Sequence, residues 1–166
     1  MGHRHHKKHQ TNKWIFAVYI GFFAGVLWGG LKLIEHYFHF TVLTPGFLVE
    51  PFFLHSFLIT WTGMLIGWGA FIALSIAASL AYALVLSKFQ GPWYGIAYGM
   101  AWWGALYLLI GPLIGMMPWI LYLDLNTILT DASLFALWGL FIGFSIAFEF
   151  TDERAREPIG RRRKLA

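Results

Sequence analysis

The 166-residue chain has no cysteine and little charge: 12 Lys or Arg and 8 Asp or Glu make up 12% of it. Without cysteine there is no disulfide framework and no thiolate nucleophile or metal ligand. Soluble domains carry about 25% charged residues, and twenty charged side chains cannot clothe one of this length. An ordinary soluble enzyme is therefore excluded. A disordered chain is excluded too, because 58% of the residues are hydrophobic. HExxH, GxSxG, paired-Asp and P-loop patterns are also missing. What the chain has instead is 16 Phe, 9 Trp and 18 Gly, with a mean hydropathy of +0.62. These values describe a polytopic membrane protein.

The few charges lie in particular places. Arg4, Lys7, Lys8 and Lys13 precede the first apolar stretch, and Arg154, Arg156, Arg161, Arg162, Arg163 and Lys164 follow the last. Only Lys32 and Lys88 fall between. Residues 14–31, 51–87, 89–123 and 132–148 carry no Asp, Glu, Lys or Arg. A spanning helix needs about 20 apolar residues, because the hydrocarbon core is about 30 Å thick and each residue rises 1.5 Å. Four spans fit: Trp14–Ile34, Trp61–Leu86, Trp93–Ile114 and Thr127–Phe150. The expected architecture is all-α, a four-helix transmembrane bundle packed through glycines. It divides into a basic tail over 1–13, a membrane domain over 14–150 and a charged tail over 151–166.

The basic residues set an orientation. The two tails and the Lys88 turn hold 11 of the 12, whereas Glu35, Glu50, Asp124 and Asp131 sit on the opposite connections. The positive-inside bias therefore places both termini in the cytoplasm. The first apolar run resembles a signal peptide only superficially. It is too long, and Lys32, Glu35 and His36 stand where a small-residue cleavage site would be. Position 6 is His, so the start does not match a myristoylation motif. The short 87–92 turn predicts that the second and third spans are antiparallel neighbours.

Two stretches are too long for one span. A helix from Pro51 to Lys88 would run about 57 Å, so its first turns are expected at the membrane interface, with Pro51 at a helix start. Thr44-Pro45-Gly46 reads as a turn. Phe38, Phe40 and Val42 alternate with His39 and Thr41, which suits either a short extended segment or an aromatic interfacial loop. Gly111-Pro112 and Met117-Pro118 should kink or end the third helix, leaving Trp119–Leu125 for the interface. Trp14, Trp61, Trp93 and Trp119 stand at span ends, where amphipathic rings prefer to lie. The deeper Trp28, Trp68, Trp102, Trp103 and Trp138 would face lipid or fill gaps beside glycines.

Glycines recur four apart in every span: Gly21, Gly25 and Gly29; Gly63 and Gly67; Gly95 and Gly99; Gly139 and Gly143. Each series lays a flat strip on one helix face and lets backbones approach, a main source of association in lipid. Packing within the bundle is the plainer reading; contact between copies or a groove for a lipid tail is the other. Leu137–Gly139 echoes Leu27–Gly29, which two parallel repeats or chance would both explain.

Charged candidates for chemistry are few. Lys32 and Glu35, three apart, read as an ion pair at the interface, with a functional charge as the alternative; Lys32 could also snorkel outward. Glu149 closes the fourth span; solvation at the interface is the plainer reading, and pairing with Lys88 or a tail arginine is the other. Asp124, Asn126, Thr127 and Asp131 form the most polar patch; Asp124 or Asn126 would cap the fourth helix, with an outward recognition patch as the alternative. The interior otherwise lacks charge, which argues against a proton-coupled carrier and an intramembrane hydrolase. His3, His5, His6 and His9 are interleaved with Arg4, Lys7 and Lys8, so a solvated tail drawn to anionic lipid is preferred over a metal site. No cofactor, metal or nucleic acid is expected.

The segments GFFAGVLWG (Gly21–Gly29), GPWYGIAYG (Gly91–Gly99), LNTILT (Leu125–Thr130) and GLFIGFSIAFEF (Gly139–Phe150) resemble the YqhR family, small conserved membrane proteins of Gram-positive, spore-forming bacteria. The resemblance runs through most of the chain between the tails. It implies a bacterial plasma-membrane protein and carries over no reaction. The expected role is non-enzymatic, as a scaffold or accessory subunit with a membrane-protein partner or a second copy. The alternative is a small channel or transporter for a neutral or lipidic substrate. An enzyme with its site at the outer surface would rest on Asp124 and Asp131 alone.

Overall fold

The computed structural model describes residues 12–86 and 91–155, with side chains as far as Glu149. Four helices are long and apolar enough to cross a membrane: Lys13–Tyr37, Trp61–Val85, Pro92–Ile114 and Leu125–Glu149. The fourth continues to Ala155. Twenty-five residues rise about 37 Å, enough to cross a core of about 30 Å with tilt to spare. Among the described residues there is no strand. Both basic tails, expected to be solvated and drawn to anionic lipid, lie largely outside the described residues.

Local chemistry sets where the spans begin. The Asn12 side chain accepts from Trp14 N at 3.1 Å and caps the first span. Thr60 Oγ1 accepts from Gly63 N at 3.3 Å at the start of the second. Pro92, following Gly91 at φ 125°, occupies the first turn of the third, where a missing N–H costs nothing. Asp124 caps the fourth, accepting from Thr127 N at 3.1 Å and from Thr127 Oγ1 at 2.7 Å.

The third span widens into a π-helix over Ala105–Ile110 before Gly111–Ile114 and ends at Gly115 in the left-handed region, φ 77°. Pro112 has no N–H to donate and would crowd the carbonyl of Leu108, four residues earlier. The wide turn lies over that carbonyl, so the helix runs on past the proline and stops at Gly115.

The most extensive helix contacts join the first span to the second and the third to the fourth. Glycines lie where backbones meet. A Cβ on Gly21 would stand 2.6 Å from Ile76 Cα, and one on Gly25 would stand 2.5 Å from Ile72 Cα. A Cβ on Gly99 would stand 2.0 Å from the Phe135 carbonyl oxygen, and one on Gly139 would be 2.4 Å from Gly99 Cα. Between the two hairpins the seam is aromatic. Phe71 meets Phe135 and Trp138, and Trp28 meets Phe141.

The second and third spans differ from the neighbour expectation. They touch through Tyr98, whose hydroxyl donates to the Ala78 carbonyl at 2.7 Å and whose ring meets Tyr82 edge-on. The close backbone approaches are made elsewhere, because the glycine faces of the third and fourth spans turn toward each other.

Gly63 and Gly67 also depart from a span-to-span role. A Cβ on Gly63 would be 2.2 Å from the Phe57 carbonyl oxygen, and one on Gly67 would be 2.3 Å from Gly46 N. This strip seats the connection between the first two spans, which caps one end of the bundle. Within that cap, residues 38–44 run as a strap without strand pairing, and Pro45–Phe52 is a 3-10 helix. Pro45 takes the helix-start position expected of Pro51, which instead lies inside the 3-10 run. A single turn, His55–Leu58, then leads to the second span.

Candidate functional site

A buried ion pair is the main polar feature of the bundle. Lys32 Nζ donates to Asp131 Oδ1, and the two side chains are 1% and 0% exposed. Lys32 enters from the first span and Asp131 from the fourth, 99 residues later in the chain. An unpaired charge in an apolar setting costs several kcal/mol, so each group requires the other.

Two hydroxyls complete the pair, and a third ties the strap beside it. Thr41 Oγ1, from the strap, accepts from Lys32 Nζ at 3.2 Å and donates to Asp131 Oδ2 at 3.2 Å. The Tyr107 hydroxyl, from the π-helical turn, donates to the same Oδ2 at 2.7 Å. Thr127, one helical turn before Asp131, accepts from Val42 N at 3.0 Å. Asp131 thus joins the first span, the third span and the strap at one carboxylate. The Phe47 ring lies 6.0 Å from Lys32 Nζ, within reach of a cation–π attraction.

The pair corrects two expectations. Lys32 does not snorkel outward and is not paired with Glu35. The first span turns it inward, where Asp131 is the nearer and better-oriented acid. Asp131 does not belong to an exposed patch but is fully buried within the bundle. The interior is therefore not empty of charge at this end, and that argument against ion-linked roles loses its premise. Glu35 is half-buried, and its Oε2 has no accessible surface and no hydrogen-bond partner.

Above the pair the cap holds a cleft of about 320 Å³ lined by Val42, Leu43, Thr44, Phe47, Glu50, His55 and Gly115–Pro118. Its rim carries a His55 Nδ1–Glu50 Oε1 contact at 2.6 Å. Val42, Leu43 and Phe47 wall the cleft on one side and border the ion-pair cluster on the other.

With this geometry in hand, the family described as "Conserved membrane protein YqhR" matches residues 3–159 of the chain. The chain belongs to the YqhR family. A Bacillus subtilis (strain 168) protein described as "Uncharacterized protein YqhR" is 31% identical over 147 residues, 87% of this chain and 83% of that protein. No solved structure shows a significant match. The YqhR chain is accordingly a conserved membrane protein, consistent with its four candidate spans.

The remaining candidates are placed as follows. In this YqhR chain Asp124 lies exposed at the start of the fourth helix. The Thr127 hydroxyl, then its backbone N–H, holds the Asp124 carboxyl below the usual carboxylate range. Asn126 is exposed beside it. The candidate partners of Glu149, Lys88 and the tail arginines, lie outside the described residues or side chains. Ser75 and Ser79 are fully buried. Ser75 Oγ accepts from Trp138 Nε1 at 2.9 Å, and Ser79 Oγ donates to the Ala17 carbonyl at 2.6 Å. Among the described residues no group of three or more His, Cys, Asp or Glu could hold a metal ion. Sequence reasoning missed Thr41 and Tyr107. Nothing local singles them out, although an aromatic hydroxyl just before Gly111-Pro112, where a helix is expected to distort, is a signal of sorts.

Proposed function

We propose that the chain is an integral plasma-membrane protein with both termini in the cytoplasm. We propose further that it acts without catalysis, as a scaffold or accessory subunit of a membrane complex. The observation that carries this reading is that the buried ion pair and the two buried serines of the spans are consumed by the bundle itself. Lys32, Asp131, Thr41 and Tyr107 satisfy one another, and Ser75 and Ser79 bond Trp138 and the first span. None of these six side chains is left over to line a substrate passage. Phe22, Phe23, Leu27, Leu31 and Ile34 lie exposed along the first span, an apolar face for lipid or a neighbouring helix.

In-cell crosslinking followed by purification in mild detergent tests the reading. A defined membrane-protein partner or a second copy should return repeatedly; monomer alone would overturn it. A reporter placed in the 45–51 connection should give an extracytoplasmic signal, and a cytoplasmic one would reverse the orientation. The cleft at the capped end favours a second reading, a carrier or channel for a neutral or lipidic substrate. Labelling of Met116 or Met117 by a photoreactive lipid, with uptake of that lipid's headgroup analogue into vesicles, would move the balance to it.

A further inference from the structure

The strap over residues 38–44 has an unusual way of being held. Its first residues are fixed by the end of the first span, with His39 N donating to the His36 carbonyl and Phe40 N to the Glu35 carbonyl. His39 itself sits at φ 60°, a left-handed conformation that a non-glycine residue adopts at a cost. Beyond it the strap has no ladder and no helix. Its anchors are Thr41 Oγ1 to Lys32 and Asp131, Val42 N to Thr127 Oγ1, a 3.3 Å approach of His36 Nδ1 to the Thr41 carbonyl and, at its far end, the Thr44 carbonyl, which accepts from Phe47 N. The side-chain anchors of Thr41 and Val42 end on the ion-pair cluster or the helix turn beside it. On the other side of the strap lies the cleft, so the strap is not packed against protein on that face.

The two hairpins differ in a related way. Within each hairpin, backbone approaches backbone at glycines. Between them the contacts are aromatic side chains along the seam, closed at the capped end by Lys32 and Asp131. Side-chain seams repack more readily than backbone contacts do, so an opening motion would follow the seam.

We propose that the Lys32–Asp131 pair and the 38–44 strap form a latch that gates the capped end. When closed, Thr41 bridges both charges, and the strap separates them from the cleft. When released, the strap lifts about His39 away from the pair and off the cleft wall, the capped ends of the hairpins part, and Lys32, Asp131 and the cleft wall at Met117 face the aqueous side. A lysine left without its carboxylate drives this release, because water reaches it at least expense by lifting the strap and not by unfolding a span. The proposal is independent of which partner the bundle serves.

The absence of native cysteine makes a direct test available. Met117 lines the cleft and is 7% exposed, without a polar role. A single Met117→Cys in the full-length chain, assembled into vesicles, should react slowly with a membrane-impermeant maleimide. Adding Asp131→Asn should raise that rate at least tenfold. Adding Lys32→Met as well should return it to within about threefold of the parent, since no uncompensated charge then remains. A second reporter, Leu48→Cys, sits buried in the cap's 3-10 helix outside the strap and should stay slow throughout. An unchanged Met117→Cys rate with Asp131→Asn would overturn the latch. Equal acceleration at Leu48→Cys would overturn it too, by making the change a general loosening of the cap. Failure of Lys32→Met to restore slow labelling would show that charge is not what holds the strap.

Discussion

Replacing Gly99 with alanine should be among the more damaging single-methyl additions to the bundle. The new Cβ would stand 2.0 Å from the Phe135 carbonyl oxygen, 2.9 Å from the Phe135 carbonyl carbon and 3.0 Å from Gly139 Cα. All three are backbone atoms of the facing helix, so no side-chain rotation relieves them. Bringing the first contact to an ordinary 3.4 Å requires the third and fourth spans to part locally by about 1.4 Å. A gap of 0.5–1 Å already forfeits roughly a quarter to a half of the dispersion well for each atom pair. Overpacking of this kind costs about 1–3 kcal/mol, and rigid neighbours place Gly99→Ala near the upper end. Gly69 is the internal control: a Cβ there meets nothing within 4 Å, so Gly69→Ala should be neutral or gain up to about 1 kcal/mol of helix propensity. Unfolding of both variants in mixed detergent micelles, followed by tryptophan fluorescence, separates them. Equal stability of the two alanine variants would refute the reasoning that backbone contact at Gly99 closes this helix pair.

Three other outcomes follow from particular bonds. Lys32→Met should lose about 3–5 kcal/mol in the same unfolding assay, and Lys32→Met with Asp131→Leu should recover most of it, because breaking a buried pair costs far more than replacing it. Ser75→Ala should cost about 1–2 kcal/mol, more than Ser79→Ala, since it leaves the fully buried Trp138 Nε1 without an acceptor. Asp124→Ala should lower the melting temperature at neutral pH, and the difference from the parent should shrink under acid. The Asp124 carboxyl lies below its ordinary 3.8 in the folded chain. Its stabilising contribution is therefore full above pH 3.8 and is lost as pH falls through the lower folded value. A melting-temperature difference that stayed constant from pH 6 to pH 2.5 would contradict the cap.

The fold was legible in the sequence where one physical effect dominated. The hydrocarbon core demands long uncharged helices, and the charge-free runs marked four of them with ends within a few residues of those observed. The Asp124 cap was legible because capping acts within three residues. Pairing between helices was not, because it depends on rotation of one span against another. Lys32 has Glu35 one turn away along its own helix and Asp131 on the far side of the bundle, and the local pairing rule sees only the first. The same limit hid the role of Gly63 and Gly67. Spacing locates a flat strip on a helix, but whether that strip meets another span or a looped-back cap is decided by the connection.

The position of the ion pair explains why the capped end and not the bundle centre should be the responsive region. Asp131 lies two turns into the fourth helix, and Lys32 lies within two turns of the end of the first. At that depth water is one strap's thickness away, so the cost of burying two charges is borne by a few hydroxyls and a short segment. Deeper in the bundle the same charges would have no such escape, and Trp138, Phe71 and Phe135 fill that space instead. Tightening the strap should therefore slow exchange at the latch without altering the seam. His39→Gly, which removes the left-handed penalty, should favour the closed strap and stabilise the cap by about 1 kcal/mol. Hydrogen exchange of the Val42 and Leu43 amides reads this directly. Faster exchange in His39→Gly would mean that the added backbone freedom outweighs the relieved strain, and that His39 is a hinge whose stiffness, not its strain, holds the strap in place.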